Sequence, residues 1–449
     1  VKKLLLLLAT FNWCAAHNLS RLSLEEAETI ALENNKSVQI AEQGVGQYRA
    51  RQLQSIVSWL PSISFATMYT MLQKSQVLTP LQQQTHFFVN QLQLNQPIFS
   101  TDLIFGMRAA KLYWKSTQSD KEKMVNDTLL DVREAYYAVA LEEVSLQAQQ
   151  EVITYLRSAL DDETKKFETG KSTDFEVKQS KVVLSNAIAS YHSLLKNLKS
   201  AHSSLVLALG VDPKEHLDIG IREHQLRLEN YPDLWNKLSL LQETPKELEH
   251  FSLFTEEEID DWISMAVARR PEIQKADLAL RATREELKNR QGRYLPTISG
   301  FADYGYYLPI NGEFFKQQYN FAGGIRLNWD IFDSFKREFA IKEVGFVRKA
   351  AKAALAQVKD KAAVDIRNEI YQIEEAFFTY LSSEDALSLA RQGMQEAKVR
   401  LSAGTITPLQ YRDATRSYAE AHRSANEAKF QLLKSYFQLR HDSGIDLQK

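Results

Sequence analysis

The stretch Trp59-Leu-Pro-Ser-Ile-Ser64 reads WLPSIS, and Tyr294-Leu-Pro-Thr-Ile-Ser299, 235 positions later, reads YLPTIS. The likeness extends well beyond these six residues. LENNKSVQIAEQ from Leu32 aligns with VARRPEIQKADL from Val267, NQPIFS from Asn95 with NWDIFD from Asn328, and FETGKSTDFEVKQS from Phe167 with LSAGTITPLQYRDA from Leu401. The offsets stay between 233 and 235, so the small insertions fall in connections. The chain is two copies of one unit, and a duplication found this early decides the architecture.

Periodicity separates helix from strand inside each copy. After NQPIFS, residues Val125, Val132, Val139, Leu146, Ile153, Leu160 and Phe167 form an unbroken seven-residue row. After NWDIFD, Ile366, Ile373, Tyr380, Leu387, Met394 and Leu401 form a second row in the same register. Sustained heptads mark helices that supercoil and bury one seam. The helices are expected at about 100–168 and 333–402, each roughly 100 Å long at 1.5 Å per residue. They stop at Gly170 and Gly404, residues of the type that ends helices. Return helices follow at Asp174–Leu209 and Pro408–Leu439, so each copy holds one long helical hairpin.

The segments between the LP junctions and the NQPIFS/NWDIFD motifs have period two instead. Ile63, Phe65, Tyr69 and Met71 alternate with Ser, Ala or Thr, and Tyr319, Phe321, Ile325, Leu327, Trp329 and Ile331 alternate with Asn320, Arg326, Asn328 and Asp330. Alternation over about ten residues with aromatics near the ends is the pattern of a membrane β-strand. A soluble hairpin gives the same pattern when the strands are taken alone. Pro61 and Pro296 mark the change from helix to strand. Partner strands are expected at about 86–97 and 297–308, giving hairpins at about 62–97 and 297–331. Four strands cannot close a membrane barrel, which needs about eight, so several chains must contribute.

The chain of 449 residues is 44% hydrophobic and 25% charged, with 16 Gly, 10 Pro and a net charge of −2, which gives no reason to expect nucleic acid as a partner. Lys2-Lys3, the apolar run Leu4–Phe11 and the small pair Ala15-Ala16 have the order of a secretory signal peptide cleaved after Ala16. A greasy first helix is the alternative. The one cysteine, Cys14, could instead be an acylated first residue, although the bulky Trp13 before it fits poorly. The expected division is 1–16 signal peptide, 17–210 first repeat with its helical hairpin at about 100–209, 211–254 inter-repeat segment, 255–440 second repeat with its hairpin at about 333–439, and a 441–449 tail. No later stretch reaches the ~18 apolar residues of a membrane helix.

No catalytic constellation, phosphate loop or cofactor motif is present, and no two of the nine His stand four apart as a helical metal site requires. The acid pairs Asp161-Asp162 and Asp260-Asp261 read as solvated helix faces. Neither catalytic residues nor metal ligands nor cofactors are expected, and a hydrolytic enzyme would have no site to name.

The duplicated unit, the LPSIS and LPTIS junctions, NWDIFDSFKRE after the last strand and the TG and AG helix tips together resemble the TolC-like outer-membrane efflux protein family over about residues 22–440. The resemblance implies a mainly α fold with membrane β: a homotrimer whose chains each give four strands to a twelve-stranded barrel, set on an α-helical tunnel through the periplasm. It implies an equatorial band from Val211–Phe254 and surroundings. It further implies outer-membrane lipid, a periplasmic adaptor (membrane fusion) protein and an inner-membrane pump or ABC transporter as partners. The function implied is the exit duct of a tripartite efflux or type I secretion system, with either cargo class left open. A periplasmic coiled-coil adaptor without a pore is the alternative.

The family's second tip carries Asp six and nine residues after the glycine, narrowing the periplasmic entrance with a negative ring. Here those positions are Gln410 and Asp413, so a trimer would keep three carboxylates. The first-repeat equivalents are Glu176 and Gln179. Arg412 or Arg416 could neutralise Asp413, which could also be an ordinary exposed helix residue. Gly170 and Gly404, with Phe167, Thr169, Leu401 and Thr405, are the expected adaptor contacts at the tips.

Overall fold

The structure is a computed structural model of the chain, and it describes residues 22–71, 86–212, 231–232, 253–309 and 319–445. The expected signal peptide, Cys14 and most of the inter-repeat segment 211–254 lie outside the described residues. In chain order the elements are α1 Leu24–Asn34, α2 Lys36–Val57, β1 Ser62–Met71, β2 His86–Phe99, α3 Thr101–Glu168, α4 Asp174–Leu209, α5 Glu256–Arg269, α6 Pro271–Gly292, β3 Thr297–Pro309, β4 Tyr319–Asn328, α7 Lys336–Ser402 and α8 Pro408–Ser443. The chain is mainly helical with one small antiparallel sheet. It divides into two compact units, one of residues 1–40, 122–270 and 360–449, the other of residues 41–121 and 271–359.

The first unit is helical, and the two heptad rows are its seams. Val132, Val139, Ile366 and Ile373 are all but inaccessible, and they pack with Tyr136, Leu205, Leu209, Phe377, Leu432 and Leu433 in one core. Farther along, Ile153 and Met394 are buried too, whereas Phe167 at the tip is exposed. Tyr231 reaches this core as well, its hydroxyl 2.5 Å from that of Tyr137 and its ring edge-on to Phe437.

Both copies break a helix and cap another at the same place. Between α1 and α2, Asn35 leaves helical geometry (φ −62°, ψ 126°); between α5 and α6, Arg270 does the same (φ −56°, ψ 124°). Asn35 Nδ2 donates to Ala208 O at 2.8 Å, and Arg270 Nε donates to Asp442 O, its counterpart. Each acceptor precedes a helix-ending glycine, Gly210 (φ +72°) or Gly444 (φ +71°). A Cβ on Gly210 would lie 2.6 Å from Asn35 Cα, whereas one on Gly170 (φ +73°) would meet nothing within 4 Å. Gly170→Ala is therefore expected to cost about 1 kcal/mol, the price of a left-handed L-residue, and Gly210→Ala about 2–3 kcal/mol because backbone must also shift. Chemical unfolding followed by far-UV circular dichroism checks the ranking.

The second unit carries the sheet, ordered β1-β2-β3-β4 with every neighbour antiparallel. The strands end differently from the sequence expectation. β2 runs to Phe99, because β3 pairs with it through Gln96, Pro97 and Phe99 across a bulge, whereas β4 stops at Asn328. Trp329 and Ile331 thus lie past the strand. The chain then turns through Ser334 and Phe335, both in the left-handed region (φ 59° and 64°), before α7 begins at Lys336. Arg337 fastens this turn: it is buried, donates to Ile331 O at 3.0 Å, pairs with Asp333 at 3.3 Å and lies over the Tyr294 ring. The copies also share a stitch here, since Gln96 Nε2 donates to Trp59 O and Trp329 Nε1 to Tyr294 O. At the other end of the second copy, α8 extends to Ser443, past the expected limit at Leu439, and Gly444 stops it.

Candidate functional site

Two places in the fold hold the candidate functional residues: the faces of the sheet, and the turns between the long helices. Side chains alternate across a strand, so the register sorts them. Phe65 stands opposite Leu92, Leu92 opposite Tyr304 and Tyr304 opposite Phe321; likewise Ile63 meets Leu94, and Ile298 meets Leu327. All these share one face. The opposite face holds Ser62, Ser64, Gln91, Gln93, Asn95, Asp303, Asn320 and Arg326 through the pairs Ser62↔Asn95, Ser64↔Gln93, Gln93↔Asp303 and Ser299↔Arg326. Phe65, Phe321 and Ile325 are 68%, 74% and 75% exposed, so among the described residues nothing covers the apolar face. Its strands β1 and β4 are the edges of the ladder.

The helix tips are built twice from the same parts. At the first, Gly170 N–H donates to Phe167 O at 2.9 Å and Lys171 N–H to Lys166 O at 2.8 Å; at the second, Gly404 donates to Leu401 O at 3.1 Å and Thr405 to Arg400 O at 2.9 Å. This paired pattern closes a helix around a left-handed glycine. The returning helices open with capping boxes, Thr173 with Glu176 and Thr407 with Gln410. Two of the expected gate residues are thereby engaged in caps. The Thr173 backbone N–H, with the hydroxyls of Ser172 and Thr173, holds the Glu176 carboxyl below the usual carboxylate range.

Asp413 is exposed and is gripped by its neighbour, with Arg412 Nε at 3.1 Å and Nη2 at 2.9 Å from Oδ1. Arg416 turns away to Glu420 at 2.8 Å. Of the expected gate set, Glu176 and Gln179 come together along a cavity of about 700 Å³ between the two hairpin ends, with Leu401; Gln410 and Asp413 do not line it. That cavity also takes in Phe175 and Leu409, at the same position of each returning helix and 71% and 43% exposed. The sequence reading missed this pair. An apolar residue two places after each Thr N-cap was the available signal. It also missed Glu163, buried at the first tip with the Ser172 hydroxyl against it. Among the described residues no group of His, Cys, Asp or Glu is placed to hold a metal, and no helix is long and apolar enough to cross a membrane.

A duplicated helical hairpin joined to a sheet with one bare apolar face defines a protein that works at a membrane. The model of a known family, described as outer membrane efflux protein, matches residues 29–211 and 262–444, and the chain belongs to that family. Its place is the outer membrane, with most of its mass in the periplasm, and its work is that of a channel in efflux or secretion, without catalysis. Among solved structures, a membrane protein from Pseudomonas aeruginosa is 17% identical with a TM-score of 0.76, covering 94% of this chain and 92% of that one. The Campylobacter jejuni CmeC outer membrane channel is 16% identical (TM-score 0.72, 96% and 87% covered), and VceC from Vibrio cholerae is 14% identical (0.74, 94% and 96%). At these identities the likeness shows the fold. No curated protein matches the chain.

Proposed function

We propose that three copies of this chain close a twelve-stranded barrel and a helical tunnel, forming the exit duct of a tripartite efflux or type I secretion system. The observation that carries this is the two-faced sheet, whose edges β1 and β4 have no further partner among the described residues. An even number of antiparallel strands lets β4 of one copy pair with β1 of the next in the same alternating sense, which places the apolar face toward lipid and the polar face toward a lumen. α3 touches α6 through Thr101 against Gly292 and a 2.7 Å hydrogen bond from Tyr113 to Glu286. The matching positions of the second copy, Phe335 just before α7 and Val347 on it, are exposed, as are Ile40 and Val57 on α2. A neighbouring copy would cover them. The division into leader, two repeats and equatorial segment belongs to the same reading.

The tips are the docking surface for a periplasmic adaptor: Phe167, Thr169 and Gly170 at one, Leu401, Gly404 and Thr405 at the other, with Phe175 and Leu409 beside them. Asp413 contributes three carboxylates to a periplasmic gate, which Gln410, Glu176 and Gln179 flank. Since Arg412 holds Asp413, the ring is a weak attractor of cations. The test is single-channel conductance of purified protein in a planar bilayer. Steps of uniform low conductance are expected, and Asp413→Ala is expected to change cation selectivity by less than about twofold. Failure of a folded oligomer to insert would remove the duct; a large selectivity change would remove the pairing argument.

A further inference from the structure

At the α5–α6 break, six ionisable side chains from four parts of the first unit converge. His441 near the end of α8 has Nδ1 2.7 Å from Asp442 and Nε2 2.9 Å from Asp127 on α3. Arg270 reaches Asp442 and Asp365 on α7, each at 3.3 Å. Glu369, one turn along α7, has Oε2 buried without a hydrogen-bond partner, and the nearby Asp442 charge helps to raise its carboxyl. A carboxyl buried in this way without a partner is more stable neutral than ionised. Lys123 pairs with Asp127 at 2.6 Å, and Asp131 and Glu134 lie farther along the same face of α3. Lys434 of α8 answers Glu134 at 3.2 Å, and Arg440 turns to the Tyr436 hydroxyl.

The first copy has no such cluster. Where the second has Arg270, Asp365, Glu369, His441 and Asp442, the first has Asn35, Asp131, Ala135, Leu207 and Ala208. Leu207 is 76% exposed. The cluster therefore belongs to the contact of the second hairpin with α3, and the duplicated fold itself does not require it.

We propose that His441, Glu369 and Arg270, with Asp127, Asp365 and Asp442, form a proton-linked latch that fastens the C-terminal end of α8 to α3 and α7. With His441 charged and Glu369 neutral, three cations (Arg270, His441, Lys123) face three carboxylates (Asp127, Asp365, Asp442). Loss of either proton leaves buried negative charge uncompensated, and the end of α8 loosens.

Burial alone would lower His441, but hydrogen bonds to Asp127 and Asp442 outweigh it and raise the imidazole to about 9. A raised group stabilises fully below its unfolded value near 6.5 and stops doing so as pH rises through about 9. Glu369 acts in the same direction: burial and the Asp442 charge raise it well above the carboxylate range. Asp127 and Asp442 are lowered, through hydrogen bonds to His441 that outweigh burial, and release the latch only in acid. The latch is closed from mildly acid to neutral pH and opens toward alkaline pH.

Hydrogen exchange by mass spectrometry, corrected for the intrinsic pH dependence, tests this on the full oligomer between pH 6 and 9.5. Residues 432–445 should lose protection by more than about tenfold across this range while residues 201–212, the end of α4, hold theirs. Glu369→Gln should make the loss shallower, and His441→Leu, which copies position 207, should leave exchange at 432–445 fast and insensitive to pH. The α4 end reports that each variant is folded. A wild-type profile as flat as that of α4, or one unchanged in Glu369→Gln, overturns the latch. Neither readout depends on conductance, so the duct can stand or fall separately.

Discussion

Arg270→Ala is expected to destabilise the helical unit by about 3–5 kcal/mol, the usual result of removing one side of a buried charge cluster. The guanidinium is the cation that meets both Asp365 and Asp442, and it also donates to the Asp442 carbonyl at the end of α8. Its removal leaves carboxylates facing one another with only His441 and Lys123 to answer them. The matched control is Asn35→Ala, at the same position of the first copy, where only a neutral hydrogen bond to Ala208 O is lost. That change is expected to cost about 1 kcal/mol. Denaturant unfolding at pH 7 separates the two. The defect in Arg270→Ala should shrink as pH falls toward 5, because the orphaned carboxylates take up protons more readily than they do in the unfolded chain. Equal losses at the two positions would mean that the charges of the cluster contribute nothing net.

Ile325→Arg addresses the sheet. Ile325 lies opposite Gly300 on the apolar face of β4 and is exposed in the single chain. In a barrel that face meets hydrocarbon, where an arginine near the midplane costs about 2–4 kcal/mol. Equilibrium folding into phospholipid vesicles should show that loss. Asn320→Arg, on the opposite face of the same strand, should fold normally and change conductance instead. If both substitutions were equally tolerated in folding, the face assignment would be wrong.

Much of this fold was legible because the duplication supplied an internal check. A heptad row in one segment could be chance, but Val132 and Ile366 fall at the same register and are both buried. Gly170 and Gly404 could be read as helix stops because φ > 0 has few occupants other than glycine. The same reasoning applied to Gly444 would have carried α8 to Ser443. The end of β4 was not legible, since alternation continues through Trp329 and Ile331 and the ladder ends where its partner β3 begins, at Thr297 opposite Asn328. The carboxylates at the tips show another limit: spacing from Gly170 locates Glu176, but its capping bonds to Thr173 depend on the local turn. The cluster around Arg270 left no sequence signal at all. Its members come from positions 127, 270, 365, 369, 441 and 442, and each looks like a solvated helix residue until the helices pack.

The turns at Gly170 and Gly404 have a consequence for any protein that meets them. Each turn satisfies its own backbone: the glycine and the residue after it close one helix, and a threonine box opens the next. Such a surface has its shape before contact, so a partner need not order it on arrival. Association then proceeds close to rigid docking, and little of the interaction energy is diverted to arranging the loop. Selectivity among partners would fall to the few side chains that differ between the two turns, with Phe167 and Phe175 at one and Leu401 and Leu409 at the other. One chain thus presents two similar but distinguishable handles.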